Sequence, residues 1–555
     1  MKRGNFIGFI LMMLMLASTL NVQAQQEDWE EDGEIQDAEV VIEKDRQITL
    51  PPASRSYEKV APLPLEIDRS NQSYQFDRID YQTTAFTPNI RVLTIKDQPL
   101  PKLYGNYLKA GVGNFGTSYL EGYFNNKRSD TYVIGAKIKS LASSRGPVDK
   151  DNSAASDLSL GFDGSYFTEG VIFNGKAEYE RVKRFFYGYS PGSEVDRDTL
   201  KQVFNKVLIS LGLEDSNKNQ DLDYSLQGYY VSLEDRFDSS EDEGSFNFAG
   251  SYQFNDKVKF AVISDLYLTK YSHFGSSINR NLFRLTPTVI TNLDVFKVEL
   301  GINLVYENDT IANADKVHIS PVAKASYNVT DNLVFYAGLT GDVNYRSWRS
   351  YTKENPWLAP GVALSHNIKK IALNAGIKGE LWDDINFNTG FDIGAYDNLA
   401  FFANNAQDST KFDILYDRDN PAIVHFFAEL GYSKAQRFII NLKGEWFGYD
   451  TEEVAEAWGR PTYSIGVSGA YNLYQKFILG GGITAMGGIK GLNQQSGTVR
   501  SLDSMFDVNI KVDYLFSPRF SAFVIGKNMV SQNYERYLNY PAKSISVIGG
   551  ITYSF

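Results

Sequence analysis

Throughout residues 103–555, apolar and polar residues alternate in one short segment after another. A β-strand points successive side chains to opposite faces, so each segment predicts a strand with one apolar and one polar face. The last strand shows the pattern clearly, and its apolar row consists of Ile545, Val547, Ile551, Tyr553 and Phe555. This strand alone also suits the edge of a soluble β-sandwich, so the other segments must distinguish the two sheet types.

Charged residues on the polar faces make that distinction. In one segment, Lys378 and Glu380 lie opposite the apolar row of Ile377. In another, Lys443 and Glu445 lie opposite a second apolar row. A dry sandwich core makes such charges costly, whereas a wide transmembrane barrel holds them in a wet lumen. The sequence therefore predicts an all-β, antiparallel transmembrane β-barrel whose apolar rows face lipid.

The connections between the strands alternate between short and long. Short turns are predicted at 254–257, 291–294, 328–332, 435–437 and 516–519. Long polar loops are predicted near 143–156, 183–200, 234–243, 308–316, 346–370, 398–420, 449–460 and 531–543. Tight periplasmic turns and longer surface loops are typical of outer-membrane barrels, and the count gives about 22 strands with both barrel ends periplasmic. The last strand should then pair with the first, near residues 104–112.

The first 24 residues have the pattern of a signal peptide. Lys2 and Arg3 precede an apolar run at 6–20, and a small-residue cleavage site ends at Ala24. A membrane anchor is the alternative, but the run is shorter than the roughly 20 residues of a spanning helix. The chain has no cysteine, which excludes disulfides and an N-terminal lipid anchor. Its 36 Phe and 35 Tyr suit interfacial aromatic girdles, so we expect the outer membrane of a Gram-negative bacterium.

Residues 25–102 differ from the barrel in composition. They are acidic at first, and seven of the 17 prolines then lie between Pro51 and Pro101. Proline fixes φ and removes a backbone donor, so we expect an extended segment in the periplasm or the lumen. Residues 25–102 also contain a short set of apolar residues, which has two interpretations. It is either a strand that docks on the sheet edge of a partner protein or part of a solvated tail. That set is Val40, Val41, Ile42, Ile48 and Leu50.

Several C-terminal and loop features carry a family resemblance. These are Asn528, Tyr534 and Tyr540-Pro541 in the last hairpin, Glu354-Asn355-Pro356-Trp357, and Trp458-Gly459-Arg460-Pro461. In these features the chain resembles the barrels of TonB-dependent outer-membrane receptors of the Bacteroidota type. The resemblance implies a 22-stranded barrel and transport across the outer membrane. Family members also carry a globular plug before the barrel, whereas residues 25–102 contain no recognisable plug. Residues 39–42 resemble a TonB box only weakly. The N-terminal segment, inward-folded loops or another polypeptide must therefore fill the lumen.

Two functions follow from these features. The first is transport of an unidentified substrate, and the alternative is a sealed structural or assembly subunit of an outer-membrane complex. We expect no enzyme activity and no cofactor, and the net charge of −12 argues against nucleic acid. Expected partners are outer-membrane lipid and lipopolysaccharide, the barrel-assembly machinery, and a periplasmic or outer-membrane protein bound through residues 25–102. The apolar row that ends at Phe555 would be the signal for assembly.

Aromatic residues in the long loops are candidates for contact with a ligand or a partner protein. They are Trp357, Phe401, Phe402 and Trp458, and packing within the loops is the alternative. The acidic residues from Glu234 to Glu243 could bind Ca²⁺ or join divalent-cation bridges to lipopolysaccharide. Their spacing matches no defined calcium-binding loop, so a solvated surface loop is predicted there.

Two other patterns are interpreted as structural. The spacing of Gly111, Gly113 and Gly116 matches a dinucleotide-binding motif, but an alternating strand follows where a helix would be needed, so a hairpin is predicted. The chain has four histidines, His273, His318, His366 and His425. No two of them have the spacing of metal ligands, so they are interpreted as ordinary loop or strand residues.

Overall fold

The computed structural model describes residues 105–126, 129–190, 192–216, 221–309, 317–382, 384–434, 437–474 and 476–555. The predicted signal peptide and residues 25–102, with the docking strand and the region where a plug would lie, fall outside the described residues. The strands are β1 (Tyr107–Gly113), β2 (Thr117–Asn125), β3 (Tyr132–Ser143), β4 (Ala155–Phe167), β5 (Val171–Phe185), β6 (Lys201–Asp215), β7 (Leu222–Glu234), β8 (Ser239–Asn255), β9 (Val258–His273), β10 (Ser276–Asn279), β11 (Leu282–Leu293), β12 (Phe296–Glu307), β13 (Val317–Thr330), β14 (Leu333–Asn344), β15 (Asn367–Leu381), β16 (Ile385–Asp397), β17 (Leu399–Asn404), β18 (Phe412–Asp417), β19 (Ala422–Lys434), β20 (Phe438–Asp450), β21 (Tyr463–Leu473), β22 (Phe477–Gly487), β23 (Lys490–Asn493), β24 (Thr498–Ser501), β25 (Met505–Leu515), β26 (Phe520–Lys527), β27 (Glu535–Tyr537), β28 (Tyr540–Pro541) and β29 (Ser546–Ser554).

Twenty-two of these strands form one closed antiparallel barrel, as predicted. The barrel closes because β1 pairs with β29, with Tyr107 opposite Ser554 and Val112 opposite Gly549. The short strand β10 extends a hairpin with β9, and the remaining six strands lie in the connections. The first barrel strand therefore pairs with the last where the sequence predicted it, although β1 begins at Tyr107 rather than at residue 103.

The last strand has the two predicted faces. Its apolar row is exposed on the outer face of the barrel, and the row comprises Ile545, Val547, Ile551, Tyr553 and Phe555. The intervening Ile548 and Thr552 are buried on the lumen side. On the neighbouring hairpin, β1 runs into a turn in which Gly116 has a φ of +59°, and β2 follows directly. The glycine motif is therefore a hairpin, as predicted.

Short turns and long loops separate to opposite ends of the barrel. The amide of Phe555 donates to the carbonyl of Asn106, so both ends of the barrel lie at the same rim. The turns 256–257, 294–295 and 331–332 lie at that rim, which we assign to the periplasm. The opposite, extracellular rim carries the connections 186–200, 345–366, 398–421, 451–462, 488–504 and 528–545. The alternation is not strict, because the extracellular connections 114–116 and 235–238 are short.

The lumen wall carries charged side chains that pair with one another. Lys109 on β1 lies 3.4 Å from Asp513 on β25. Arg284 on β11 binds Asp265 at 2.8 Å and Asp342 at 3.0 Å. The structure therefore confirms the charged inner faces that favoured a barrel over a sandwich.

Helices are few and short in the described residues. They are α1 (Arg197–Leu200), α2 (Trp348–Glu354) and a single 3-10 turn (Lys150–Ser153), all in extracellular connections. No helix in this part of the chain is long and apolar enough to cross a membrane.

Candidate functional site

The largest cluster of buried apolar residues among the described residues lies at the extracellular end of the barrel. We call it the loop core, and its members come from the extracellular connections and the adjoining strand ends. They are Phe204, Leu233, Tyr271, Trp348, Tyr351, Leu358, Ala359, Val362, Leu364, Ala400, Phe402, Phe412, Ile414, Tyr537 and Tyr540. The connections that supply them are spread around the rim, so the cluster joins distant parts of the barrel.

Trp357 shows that these connections meet over the lumen. It lies in the 345–366 connection, and its Nε1 donates to the carbonyl of Phe185 at 2.9 Å. Its ring centroid is 4.3 Å from that of Tyr540, in the 528–545 connection. The three segments leave the barrel at points roughly a third of the circumference apart, so side chains that touch must do so across the mouth. The loop core therefore covers the extracellular opening.

A pair of carboxylates on β8 holds the central connection to the barrel wall. The carboxylate of Glu241 accepts hydrogen bonds from the backbone amides of Trp348 (2.6 Å) and Arg349 (3.0 Å), at the start of α2. Glu243, two residues along the same face, binds Nη2 of Arg349 at 2.8 and 3.0 Å and accepts from the hydroxyl of Tyr345 at 2.9 Å. The helix is also capped by Ser347. These contacts fix α2 in place.

The prediction of a solvated acidic loop at 234–243 is wrong for these two residues. Glu241 and Glu243 are 2% and 1% exposed, and both lie within β8 on its lumen face. The sequence feature that could have predicted this burial is the two-residue spacing of Glu241, Glu243 and the buried Ser245. Such spacing puts side chains on one face of a strand and is not expected of a loop.

A second buried polar group ties the same connection to its neighbours. Arg280 binds Asp309 through Nε at 3.2 Å and donates to the carbonyl of Arg346 at 2.9 Å. His366 Nδ1 faces both the backbone amide of Arg346 (3.1 Å) and Nη2 of Arg280 (3.2 Å). Burial and the charge of Arg280 lower the pKa of His366 to about 3, so the ring is neutral and Nδ1 is the acceptor. Although burial opposes it, Arg280 holds the pKa of Asp309 below its ordinary value.

A third polar contact joins three connections. The guanidinium of Arg460 binds Glu354 at the end of α2 and donates to the carbonyl of Ala400 at 2.8 Å. It also lies 5.3 Å from the ring centroid of Phe402. The 345–366 connection is therefore the centre of the loop core, since charged groups hold it on several sides.

Most of the loop aromatics singled out by sequence are packed inside this region. Phe402 belongs to the loop core, and Phe401 and Trp458 lie in an adjoining buried cluster with Leu399. These three side chains are almost completely buried, and Phe401 and Phe402 lie in β17, which is buried along its whole length. Trp357 is half-buried at the contact between the three segments described above. All four pack within the loops in this arrangement, and their contact with a ligand or a partner protein stays a prediction.

Side chains suited to metal chemistry do not converge in the described residues. No group of three or more His, Asp or Glu side chains there is placed to hold a metal ion. His318 lies 3.2 Å from Glu307 and His425 lies 3.3 Å from Glu445, while the Nδ1 of His273 lies 3.0 Å from the hydroxyl of Ser239.

Comparison with known proteins identifies the fold. No protein-family model and no curated protein sequence matches the chain. Among solved structures, the siderophore receptor PirA from Acinetobacter baumannii aligns with a TM-score of 0.61 and 11% identity over 81% of this chain and 80% of that one. The FrpB iron transporter from Neisseria meningitidis aligns with a TM-score of 0.64 and 9% identity over 82% of each chain. The ferric-catecholate import receptor Fiu from E. coli aligns with a TM-score of 0.61 and 10% identity over 81% and 82%.

These likenesses concern the fold, since all three identities are low. They confirm the resemblance to the barrels of TonB-dependent receptors at the level of architecture, including the 22 strands. A closed antiparallel barrel with outward apolar rows is also the form of transmembrane barrels of the bacterial outer membrane.

Proposed function

We propose that this barrel transports a substrate across the outer membrane and that the loop core is the extracellular gate of its path. The observation that carries the proposal is the single buried core formed over the lumen by connections from distant parts of the rim. A wide, charged lumen beneath an apolar closure is the arrangement expected of a conduit that opens on demand. The receptor fold supports the same interpretation.

The contacts suggest which part of the gate moves. Charged groups hold the 345–366 connection to the wall, and breaking a buried ion pair costs about 3–5 kcal/mol. The 528–545 connection contacts this centre through aromatic rings and one hydrogen bond. The ring of Tyr537 lies 5.9 Å from that of Trp357, and its hydroxyl donates to the carbonyl of Glu354 at 2.8 Å. Such aromatic pairs contribute about 0.5–1.5 kcal/mol each beyond the burial of their area. We therefore propose that the gate opens on the side of residues 528–545.

Planar-bilayer conductance of the purified full-length protein tests this proposal. Wild-type protein should show brief openings, and Trp357→Ala should lengthen them because it removes the hydrogen bond to Phe185 and the ring contact with Tyr540. Trp382→Ala is the matched control, since Trp382 is 80% exposed in a turn at the periplasmic rim. If neither wild type nor Trp357→Ala conducts at either polarity, the transport proposal fails.

A second candidate, a sealed structural or assembly subunit, is favoured by how completely the loop core is packed. Tyr351 and Ala400 have no exposed surface, and Trp348 is 1% exposed. Such a subunit would remain closed and would bind other outer-membrane proteins, for which we propose residues 25–102 as the attachment. Affinity purification of the chain with and without these residues would show stoichiometric partners that are lost on deletion. Retention of the same partners by the shortened chain would contradict this role for the segment.

A further inference from the structure

Four cationic side chains gather on the outer wall at the extracellular ends of β5 and β6. Arg181 and Lys183 lie on β5, Lys201 begins β6, and Arg197 lies in α1 just before it. The register places Lys201 directly opposite Phe185, two residues beyond Lys183 on the same face. Lys201, Arg197 and Arg181 are all close enough to Lys183 to act on its charge. The four residues therefore form one cluster, which we call the basic cluster.

The strand register shows that this cluster faces outward. Phe173 on β5 is exposed on the lipid-facing side of the barrel, and Arg181 and Lys183 fall on the same face at even spacings from it. The alternate face of β5 points into the lumen, where Glu178 pairs with Lys137 and Lys176. The basic cluster is therefore separate from the lumen and from the path through it.

The cluster lies directly above the lipid-facing band. Arg181 and Lys183 follow residues 171–180 of β5, and about 9–11 tilted residues of a strand span the hydrocarbon core. Arg181 is opposite Leu158 on β4, the last apolar residue of that outward row. On β6 the outward residues Val207 and Ile209 are exposed, and they lie closer to the periplasmic rim than the cluster does. The four cations are thus at the height of the outer-leaflet headgroups.

An aromatic ring holds two of the cations in place. Phe185 is 2% exposed, with Lys183 Nζ 5.3 Å and Arg197 Cζ 5.1 Å from its ring centroid. The Nε of Arg197 also donates to the backbone carbonyl of Asp151 at 3.3 Å. Like charges held together repel one another unless an anion lies among them, and cation–π contacts only partly offset that cost.

The cations of the cluster have no ion-pair contacts with carboxylates within the described residues, although Asp151 lies beside Arg197. None of its four cations forms an ion pair there, and their neighbours in the register are uncharged. These neighbours are Ser156, Leu158, Val203 and Asn205. The nearest carboxylate in the outward rows is Glu234, one strand beyond Asn205, and Asp196 and Asp198 flank Arg197 in the chain. By contrast, the exposed Lys270 on β9 lies opposite Asp242.

We propose that the basic cluster binds the phosphate groups of a phosphorylated glycolipid in the outer leaflet. A phosphate carries the charge that the four cations lack, and arginine forms paired hydrogen bonds to phosphate oxygens. The position above the lipid band presents the headgroup of a lipid whose acyl chains lie against Val207 and Ile209. The inference is independent of what the barrel transports.

Lipid binding to the full-length protein in non-ionic detergent tests the inference, with diphosphoryl lipid A as the probe. Native mass spectrometry would give the number of lipids bound and their dissociation constant. The double variant Arg181→Gln/Lys183→Gln should weaken binding roughly tenfold to thirtyfold, since each cation near an anionic lipid surface contributes about a factor of five. Lipid A from which both phosphates have been removed should bind wild type no better than the variant.

The control variant is Lys270→Gln, which removes an outward cation near the extracellular end of β9 that lies opposite Asp242 in the register. It should bind diphosphoryl lipid A as wild type does, and heat-modifiable migration in gels should confirm that all three proteins are folded. Equal binding by the double variant, or an equal loss in Lys270→Gln, would overturn the inference. Inorganic phosphate binding as tightly as the lipid would also overturn it, because the cluster would then be a site for the free ion.

Discussion

The carboxylate of Glu243 on the barrel wall binds the guanidinium of Arg349 in the loop helix, with Nη2 2.8 Å and 3.0 Å from its two oxygens. Glu243 is fully enclosed, whereas the side chain of Arg349 is 32% exposed. The pair therefore joins a strand of the barrel wall to a connection that Glu241, Arg280 and Arg460 also hold. This relationship is the basis of the first prediction.

Arg349→Gln should destabilise the loop core, because it leaves the buried carboxylate of Glu243 without its cation. We expect a loss of about 1–3 kcal/mol, less than for a fully buried pair because Arg349 is partly exposed. Limited proteolysis within 345–366 would measure the opening of the connection. The double variant Glu243→Gln/Arg349→Gln should lose less than the sum of the two single variants. Strict additivity would show that the pair does not couple.

His366 should make the loop core sensitive to acid. Its pKa is about 3 in the folded protein, below the ordinary value of 6.5. The unfolded or opened state then binds more protons between these values, so the stability of the closed core falls as pH drops below about 6.5. At pH 4 the loss should be about 1–3 kcal/mol, and bilayer conductance should rise.

The matched variants for this pH effect are His366→Asn and His425→Gln. Asparagine keeps an acceptor for the amide of Arg346 without titrating, so it should reduce the pH dependence. His425 is stacked on Phe447 in the barrel, 4.4 Å between centroids, and its replacement should leave the acid response unchanged. An unaltered response in His366→Asn would assign the effect to other groups.

Phe555→Ala should lower assembly of the barrel in the outer membrane. Phe555 ends the exposed apolar row of β29, where we propose that the assembly machinery reads it. Quantitative blotting of heat-modifiable protein in outer-membrane fractions would measure the folded amount. Phe516→Ala is the control, since Phe516 is also an exposed aromatic residue at the periplasmic rim, but in a turn. Equal levels of the two variants would argue against a special role for the terminal residue.

Removing residues 25–102, with the signal peptide kept, should alter either conductance or partner retention. A rise in conductance would place the segment in the lumen path, and a loss of co-purifying protein would identify it as an attachment. Both measurements use the same preparations as the gate experiment. If neither quantity changes, the proposed role of this segment is wrong.

The barrel itself was predictable from sequence because its signals are local. Alternation, charged inner faces and connection lengths gave the strand count, the closing pair and the outward row that ends at Phe555. One long connection, 488–504, was missed because it contains its own hairpin, β23 paired with β24, whose strands resemble barrel strands. The prediction of a loop at Glu241 failed because this segment of β8 is rich in acidic residues. Its composition resembles that of a surface loop, although its side chains alternate as in a strand.

The loop core was not predictable, because its contacts join residues far apart in the chain. Nothing local to Trp357 indicates that it will meet Phe185 and Tyr540, since the meeting depends on barrel width and connection length together. Phe401 and Phe402 lie in a connection predicted as a long polar loop, where the local sequence does not indicate burial. Their burial results from connections that cover both faces of β17, a property of the assembled mouth.

The loop core also has a consequence for the order of folding. Its members range along the chain from Phe204 to Tyr540, and the second of these lies in the connection before the final strand. Contacts of such long sequence separation form late, since the intervening chain must be ordered first. An unfinished barrel would therefore expose the aromatic residues of its extracellular connections to proteases and chaperones. Burial of Tyr540 marks the completed chain, so the same contacts that close the mouth distinguish finished molecules from those still being built.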